Sequence, residues 1–220
     1  MTTTRQGFAV GTAQAYDAIA TEYAEAHARW LDDEPLDRAL VAAFAELAAA
    51  QAPAPVADLG SGPGYVTAHL HGLGVPVFGV DVSPRMVEHA RRTYPDLRFH
   101  IGSMLSLELP DGTLGGAVAL YSIIHIPDDH LVRAFEEIGR VLRPGALVLL
   151  SFQTGEEDEH VHLSERFGRR IALDYYLRTT RSVTEALAKA GLELRARTVR
   201  EAGGEEVRAR AFVLAARPVS

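Results

Sequence analysis

The chain has 220 residues, of which 47% are hydrophobic and 23% charged, so its length and composition suit one globular domain and exclude a disordered or collagen-like chain. Its formal net charge of −7 makes it a poor general binder of nucleic-acid backbones. Because there is no cysteine, disulfides, cysteine nucleophiles and Cys-based zinc or iron–sulfur sites are excluded.

The N-terminus carries no visible targeting signal. Its first twelve residues are polar and lack the apolar core of a signal peptide. The longest apolar run, Ala39–Ala50, is interrupted by Glu46 and is too short to span a bilayer. We therefore expect a cytoplasmic protein that has neither a membrane nor a nucleic acid as its partner.

Two helices are predicted before the first strand. The first spans Ala13–Arg29, where apolar side chains recur at spacings of three and four: Tyr16, Ile19, Ala20 and Tyr23. Pro35 favours the first turn of a second helix that runs to about Gln51.

Strands and helices then alternate. The predicted strands are Pro55–Leu59, Pro76–Val80, Leu97–Ile101, Leu114–Tyr121 and Ala146–Ser151. The predicted helices are Tyr65–Leu73, Pro84–Tyr94 with Ser83 as its cap, and Asp128–Leu142. Strands that are apolar throughout and separated by helices indicate a parallel sheet covered by helices on both faces.

The last third of the chain follows a different pattern. A helix is predicted over Ser182–Ala190, with Ser182 and Glu185 as a capping box. Two strands, Leu192–Val199 and Val207–Ala216, flank a glycine-containing turn and predict a hairpin. The residues between, 152–181, show weak periodicity, and we expect them to form an ordered cap.

The glycine-rich segment VADLGSGPG, residues 56–64, is the strongest motif. A strand ends at Leu59, and Gly60, Gly62 and Gly64 allow the backbone to turn sharply and to approach a ligand closely. The following helix directs its N-terminal amides at the same place. Asp81 ends the second strand, where a carboxylate can accept hydrogen bonds from ribose hydroxyls.

The spacing of these glycines argues against a dinucleotide. The dinucleotide fingerprint requires its third glycine at position 65, where this chain has Tyr65. Asp58 within the strand would suit a cationic amino-acid group better than a pyrophosphate. An NAD-dependent reductase is further disfavoured because the chain has no Tyr-x-x-x-Lys pair, its single lysine being Lys189.

DLGSGPG followed by GVD at the second strand end resembles the class I S-adenosylmethionine-dependent methyltransferases. Four further segments resemble the family in order and spacing: Tyr16–Tyr23, Gly102–Met104, Tyr121–Ile126 and Arg140–Gly145. The resemblance implies an α/β fold with a Rossmann-like, mostly parallel sheet of seven strands, an antiparallel last strand and an N-terminal helical cap. A single domain would then comprise a helical cap (1–52), a cofactor-binding core (53–151), a cap insertion (152–181) and a terminal helix with its hairpin (182–220).

The resemblance also implies S-adenosylmethionine as cofactor and assigns its contacts. Asp58 would lie near the methionine amino group, Asp81 would bind the ribose hydroxyls, and Tyr121 would face the sulfonium. The family often has Asp where this chain has Ser103, so that contact to the adenine amine would be weaker or come from the backbone. The remaining cofactor contacts would come from Tyr16, Tyr23, Gly60, Ser61, Gly62, Gly64, Val82, Met86, Ser103 and Met104.

Methyl transfer to a small-molecule acceptor is the predicted activity, with a natural-product or quinone-like hydroxyl preferred and nitrogen or carbon possible. His125 is the candidate general base, although it could instead anchor its loop through the backbone. Tyr121 could instead be a core residue, and Tyr16 and Tyr23, which share a helix face, could equally pack in the core. Trp30 could line the entrance or join the two N-terminal helices. The expected substrate contacts are Trp30, His160, His162, Tyr175 and Tyr176.

Other functions remain open from the sequence. A S-adenosylmethionine-binding enzyme of a non-methylating type would catalyse cyclisation, decarboxylation or rearrangement with the same cofactor contacts. A non-catalytic small-molecule binder is another alternative. No metal is expected, because a solvated loop is favoured over a metal site at His160 and His162. The protein is expected to be a monomer or a homodimer.

Overall fold

A seven-stranded sheet forms the centre of the computed structural model, which describes residues 7–204 and 206–219. The strands are β1 Val56–Leu59, β2 Val77–Asp81, β3 Arg98–Ile101, β4 Leu114–Leu120, β5 Leu142–Thr154, β6 Glu159–Arg166, β7 Arg169–Leu177, β8 Glu193–Arg200 and β9 Ala209–Ala216. The helices are α1 Gly7–His27, α2 Trp30–Asp33, α3 Pro35–Ala49, α4 Tyr65–Gly72, α5 Pro84–Thr93, a 3₁₀ turn at Ile123–His125, α6 Asp128–Val141 and α7 Thr180–Lys189.

The strand order of the large sheet is β3-β2-β1-β4-β5-β9-β8. Strands β1 to β5 pair in parallel, whereas β9 runs antiparallel to both β5 and β8. The prediction of a mostly parallel, Rossmann-like sheet with an antiparallel last strand is thereby confirmed. The carboxyl ends of β1, β2 and β4 meet at one edge, where ligands of open parallel sheets bind.

Helices cover both faces of this sheet, which explains why its central strands are apolar throughout. Every residue of β1 and β4 is buried. On one face α6 contributes Leu131, Phe135 and Ile138 to the larger part of the core. On the other face α3 contributes Val41 and Phe44.

Helix α1 lies across the α5 side of the sheet and against the small hairpin rather than within the sheet layers. The Asp17 carboxylate accepts hydrogen bonds from the Ser83 hydroxyl at 2.6 Å and from the Arg85 backbone amide at 3.0 Å. Ser83 itself caps α5, as predicted, by accepting from the Met86 amide. These contacts hold α1 over the sheet edge where the glycine loop lies.

Residues 152–181 contain an element that the sequence analysis left unassigned. β5 continues past the expected boundary at 151 to Thr154, and β6 and β7 form a separate two-stranded antiparallel sheet. Their turn contains Phe167 and Gly168, with φ of 52° and 70°. The sequence of β6 does carry the alternating signal of a strand with one covered face: Val161 and Leu163 are half-buried, while their neighbours in sequence are exposed.

One predicted cap is wrong. Helix α7 begins at Thr180, so Ser182 lies inside the helix and does not form a capping box with Glu185. Thr179 is the cap, because its hydroxyl accepts from the Ser182 amide at 3.1 Å. The Ser182 hydroxyl instead donates to Asp158, and this hydrogen bond connects the first turn of α7 to the loop between β5 and β6.

None of the helices within residues 7–204 and 206–219 combines the length and apolar character needed to cross a bilayer.

Candidate active site

The glycine loop after β1 has three residues in the left-handed region, and each plays a different role. A Cβ on Gly60, φ 76°, would lie 2.3 Å from the Ser122 Cβ, so this glycine permits close packing. A Cβ on Gly64, φ 95°, would lie 2.8 Å from the Phe99 ring. A Cβ on Gly62, φ 52°, would meet no atom within 4 Å. Gly62 therefore leaves space for a ligand, whereas the other two serve the packing of the loop.

Asp81 holds the glycine loop to the end of β2. Its Oδ2 accepts from the Gly62 amide and its Oδ1 from the Ser83 amide, both at 2.8 Å. Burial raises the pKa of this carboxyl despite those hydrogen bonds. Because an ionised carboxylate offers about four acceptor positions, Asp81 can hold the loop and still accept from two ligand hydroxyls.

Asp58 is the second buried carboxyl of the site. Its Oδ2 accepts the Thr67 hydroxyl at 2.6 Å. Burial raises its pKa to about 7, and the nearby Asp81 charge adds to the increase. A cationic ligand group beside Asp58 would favour its ionised form, because opposite charges at close range lower a carboxyl pKa.

A cavity of about 750 Å³, the inner cavity, lies between α1 and the loops that follow β1, β2, β3 and β4. Its wall near Asp81 is apolar, with Val82, Met86 and Met104. It brings together ten of the thirteen predicted cofactor contacts and, as an eleventh residue, the candidate base His125: Tyr16, Tyr23, Gly60, Gly62, Asp81, Val82, Met86, Ser103, Met104, Tyr121 and His125. An apolar wall with few polar groups suits a small organic ligand.

A second cavity of about 880 Å³, the middle cavity, adjoins the inner one. Six residues line both: Tyr16, Tyr23, Gly60, Gly62, Leu120 and Tyr121. The middle cavity adds Asp58, Ser61, Trp30 and Tyr175 from the predicted residues. The Ser61 hydroxyl is buried and has no hydrogen-bond partner in the described part of the chain.

An open groove of about 1260 Å³ continues from the middle cavity along the inner face of the β6–β7 hairpin. The two spaces share Gln153, Tyr175, Glu206 and Arg210. The Gln153 side-chain oxygen is buried without a hydrogen-bond partner among the described residues. The three spaces thus follow one another from the sheet edge to the surface.

Tyr121 stands where the inner and middle cavities meet. It follows β4 with φ 52°, a strained value for a residue with a side chain. Its hydroxyl donates to the fully buried Asp37 at 3.2 Å, and its ring packs edge-on against Trp30 with centroids 5.2 Å apart. Trp30 therefore both lines the middle cavity and supports the ring of Tyr121.

His125 is buried and bonded through both ring nitrogens. Nδ1 lies 2.9 Å from the Asp174 carbonyl oxygen, and this position requires a proton on Nδ1. Nε2 then carries a lone pair and accepts from the Tyr16 hydroxyl at 2.8 Å. Burial lowers the His125 pKa to about 4, so the ring is neutral at neutral pH.

Four predicted site residues lie apart from these cavities. His160 and His162 sit half exposed on the outer face of the hairpin, each 2.9 Å from the same Asp174 side-chain oxygen. Tyr176 stacks on His160 with ring centroids 4.8 Å apart. Gly64 packs against Phe99 instead of lining a cavity. Among residues 7–204 and 206–219, no cluster of three His, Cys, Asp or Glu side chains is arranged to hold a metal ion.

The sequence analysis missed several lining residues. The inner cavity also contacts Phe8, Ala9, Thr12, Gly102, Leu105, Leu120, Ser122 and Ile126. The middle cavity also contacts His27, Pro63, Tyr65, Val66, Ile124, Gln153, Arg166, Glu206 and Arg210. Seven of these seventeen residues come from helix α1 and the two hairpins, whose position over the sheet no local motif predicts.

Comparison with known proteins points to one family. A family model described as a methyltransferase domain matches residues 56–145, which contain the glycine loop, Asp81 and His125. An uncharacterized methyltransferase of Mycobacterium sp. strain JLS is 29% identical over 136 residues, covering 62% of this chain and 50% of the relative. An O-methyltransferase of Penicillium expansum is 31% identical over 103 residues, covering 44% of this chain and 37% of the relative. The chain thus spans half or less of the length of these curated relatives.

Solved structures share the fold at low sequence identity. A S-adenosylmethionine-dependent methyltransferase from Methanosarcina mazei superposes with a TM-score of 0.68 at 17% identity, covering 76% of this chain and 93% of that protein. The [4+2]-cyclase SpnF superposes with a TM-score of 0.61 at 18% identity, covering 81% and 82%. Because a methyltransferase and a cyclase share this architecture, the fold by itself does not determine the reaction.

Proposed function

We propose that this chain is a class I S-adenosylmethionine-dependent methyltransferase that transfers a methyl group from S-adenosylmethionine to a small-molecule acceptor, with a hydroxyl oxygen as the preferred acceptor atom. The observation that carries the proposal is the position of the Tyr16–His125 pair. Tyr16 lines both the inner cavity, which suits the cofactor, and the middle cavity, which leads to the surface, and it is bonded to His125, which lines the inner cavity.

The inner cavity fits the cofactor of this family. Asp81 offers acceptor positions for ribose hydroxyls, and Val82, Met86 and Met104 form an apolar wall for the adenine. Gly62 leaves the space for a methionine chain that any side chain there would fill. When bound, S-adenosylmethionine supplies an electrophilic methyl group on a positively charged sulfur.

Tyr121 serves two purposes in this arrangement. Its ring borders both cavities, where an aromatic face stabilises a cation. Its hydroxyl is fixed by Asp37, and its ring by Trp30, so its orientation does not depend on a ligand. The chain therefore aligns the reactants with residues that are already in place, which lowers the entropy cost of the reaction.

The Tyr16–His125 pair can remove the proton of an acceptor hydroxyl. The neutral His125 ring has its Nε2 lone pair directed at the Tyr16 hydroxyl, and the Asp174 carbonyl fixes this tautomer. The Tyr16 oxygen would take the proton of the acceptor hydroxyl while the Tyr16 proton passes to His125 Nε2, so that the His125 ring becomes positively charged. Bound S-adenosylmethionine would supply the methyl group and lose its own positive charge with it, so the charges balance.

A hydroxyl acceptor is preferred because it is the group that needs this base. An amine presents a lone pair without prior deprotonation, and a base beside it contributes less. The likeness to a fungal O-methyltransferase supports the same choice. The groove beyond the middle cavity gives the acceptor room for a body larger than the methylated group.

The first test measures the melting temperature with S-adenosylmethionine, S-adenosylhomocysteine and NADH. A ligand at about a hundredfold above its dissociation constant stabilises the fold by about 2.7 kcal/mol. We expect stabilisation by the first two ligands and none by NADH. A rise with NADH alone, or with none of the three, would contradict the assignment of the glycine loop.

The second test measures S-adenosylhomocysteine release and product mass with a panel of phenols, hydroxyquinones and matched anilines. Release together with a mass increase of one methyl group supports the proposed reaction. Conversion of a compound without S-adenosylhomocysteine release would identify a non-methylating enzyme instead. Cofactor binding without conversion of any compound, in a panel that other O-methyltransferases methylate, would favour a binding protein.

A further inference from the structure

We infer that Arg166 binds the carboxylate of the cofactor's methionine moiety, while Asp58 faces its ammonium group. The inference rests on the proposed function, because it assigns a residue to the same cofactor. Arg166 lies on the β6–β7 hairpin, outside residues 56–145 that the methyltransferase domain model matches. It would make the hairpin part of the cofactor site and not only a cover for the acceptor.

Arg166 is directed toward α1 and the middle cavity. It is the last residue of β6, just before the turn at Phe167 and Gly168. Its guanidinium donates to the Tyr175 hydroxyl and lies over the Tyr23 ring, 5.4 Å from the ring centroid. It also lies 5.1 Å from the centroid of the Phe167 ring. One hydrogen bond and two aromatic contacts hold the group in place and leave further N–H donors for a ligand.

Arg166 is a cation without an acidic partner. Within residues 7–204 and 206–219 no carboxylate forms an ion pair with it, whereas Arg210, which lines the same cavity, lies 3.2 Å from Glu206. His27 donates its Nδ1 proton to the Tyr23 carbonyl, and burial lowers its pKa, so it contributes no charge at neutral pH. The positive charge of Arg166 is therefore the one that a bound anion would meet.

The two carboxylates that line the middle cavity differ in whether a cation is paired with them. Glu206 accepts two hydrogen bonds from Arg200, at 2.6 and 2.9 Å. Asp58 accepts from the Thr67 hydroxyl and, in the described part of the chain, has no cationic partner. One unpaired acid and one unpaired guanidinium in a single cavity complement a zwitterion, and the amino-acid end of S-adenosylmethionine is one.

Two contacts connect the hairpin tip to helix α1. Arg169 forms an ion pair with Glu22 of α1 at 2.6 Å. Phe167 approaches His27 of α1 edge-on, with ring centroids 6.3 Å apart. The methionine end of the cofactor would then connect the loop after β1 with the hairpin tip, since it contacts both Asp58 and Arg166.

Calorimetric titration with two ligands tests the inference in the full chain. S-adenosylhomocysteine carries the carboxylate, and S-adenosyl-3-thiopropylamine lacks only that group. The variant R166M keeps the alkyl stem without the charge, R166K restores a charge, and R170M is the matched control on the same hairpin. Arg170 is exposed and lines none of the three cavities described above.

We expect R166M to weaken S-adenosylhomocysteine binding by about tenfold or more, as for loss of a charge-assisted bidentate contact. Binding of S-adenosyl-3-thiopropylamine should change less than about twofold, R166K should recover part of the loss, and R170M should bind both ligands like the wild type. Equal weakening of both ligands, or no weakening of either, would overturn the inference. If R166M does not fold, R166K together with the wild-type preference for the carboxylate-bearing ligand decides the matter. Failure of the wild type to bind S-adenosylhomocysteine would instead refute the proposed function.

Discussion

The Tyr16 hydroxyl lies 2.8 Å from His125 Nε2, although 109 residues separate the two in the chain. Tyr16 comes from helix α1, and His125 comes from the 3₁₀ turn after β4. The pair forms because α1 crosses the sheet edge, and it is completed by the Asp174 carbonyl of the hairpin. Three separate segments thus determine the tautomer and the accessibility of one imidazole.

Replacing either member of this pair should reduce turnover more than cofactor binding. We expect H125Q and Y16F to lower kcat, by about a hundredfold for H125Q, the lower end of typical general-base contributions. S-adenosylhomocysteine affinity should stay within a few fold, because His125 is not among the assigned cofactor contacts and Y16F keeps the Tyr16 ring. Initial rates with an acceptor found in the panel, together with calorimetry, measure both quantities.

H162A is the control for that experiment, since His162 is half exposed on the outer face of the hairpin. It should keep wild-type turnover. If H125Q loses cofactor binding in proportion to its turnover, His125 is an anchor for its loop and not a base.

Cofactor affinity should depend on pH through Asp58. The carboxyl has a pKa of about 7 in the ligand-free protein, and a bound ammonium group would favour its ionised form. Binding below pH 7 therefore releases a proton, and affinity should fall by about tenfold between pH 7 and pH 5.5. Calorimetry with S-adenosylhomocysteine at both pH values measures this.

D58N provides the comparison, because an amide does not titrate. Its affinity should be lower than that of the wild type at pH 7 and nearly flat over the same range. A wild-type affinity that is equally flat would show that Asp58 does not face the ammonium group.

Asp81 should be the main polar determinant of ribose binding. We expect D81A to weaken S-adenosylhomocysteine by about 2 kcal/mol or more, since two hydrogen bonds to a charged group are lost. The Gly62 and Ser83 amides also lose their acceptor, so the glycine loop itself should loosen. Titration with 2′-deoxyadenosine and adenosine separates the two effects, because only ribose recognition distinguishes these ligands. Unchanged affinity in D81A would refute the ribose assignment.

Two alanine substitutions in the glycine loop should have different effects, one on the stability of the fold and the other on cofactor binding. G60A introduces a Cβ 2.3 Å from the Ser122 Cβ and should destabilise the fold. G62A introduces a Cβ into the open cavity, so its cost to the fold is limited to the left-handed conformation, about 1 kcal/mol. We expect G62A to melt near the wild type but to bind S-adenosylhomocysteine at least tenfold more weakly. Full binding by G62A would place the methionine chain elsewhere.

The buried Asp37 should stabilise the fold and hold Tyr121. Its Oδ2 accepts from Tyr121 at 3.2 Å, and its Oδ1 accepts from Arg200 at 3.2 Å. D37N should lower the free energy of unfolding by about 1–3 kcal/mol, because a charge-assisted acceptor of the buried pair is lost. Urea unfolding measures this, with E46Q on the exposed face of the same helix as the control. A D37N stability equal to that of E46Q would contradict this account.

The order of strands and helices from β1 to β5 could be predicted because each element carries its own local signal. Apolar strands, proline and serine at helix starts, and glycines after β1 act within a few residues of one another. The same local signals predicted the glycine loop and Asp81. Ser182 was assigned as the cap in error because Thr179 has the same chemistry and its position depends on the loop held by Asp158.

The chain by itself determined the sheet and the residues at the ends of β1, β2 and β4, since parallel strands bring their carboxyl ends to one edge. Only the tertiary structure decided which side chains face that edge from above. Tyr16, Arg166 and Tyr175 reach the cavities because α1 and the β6–β7 hairpin dock across the sheet, through contacts such as Arg169 with Glu22. His160 and His162 lie on the same hairpin yet face outward, because side chains alternate along a strand and one face alone meets the cavity. A register shift between Leu163 and Glu165 interrupts this alternation before Arg166.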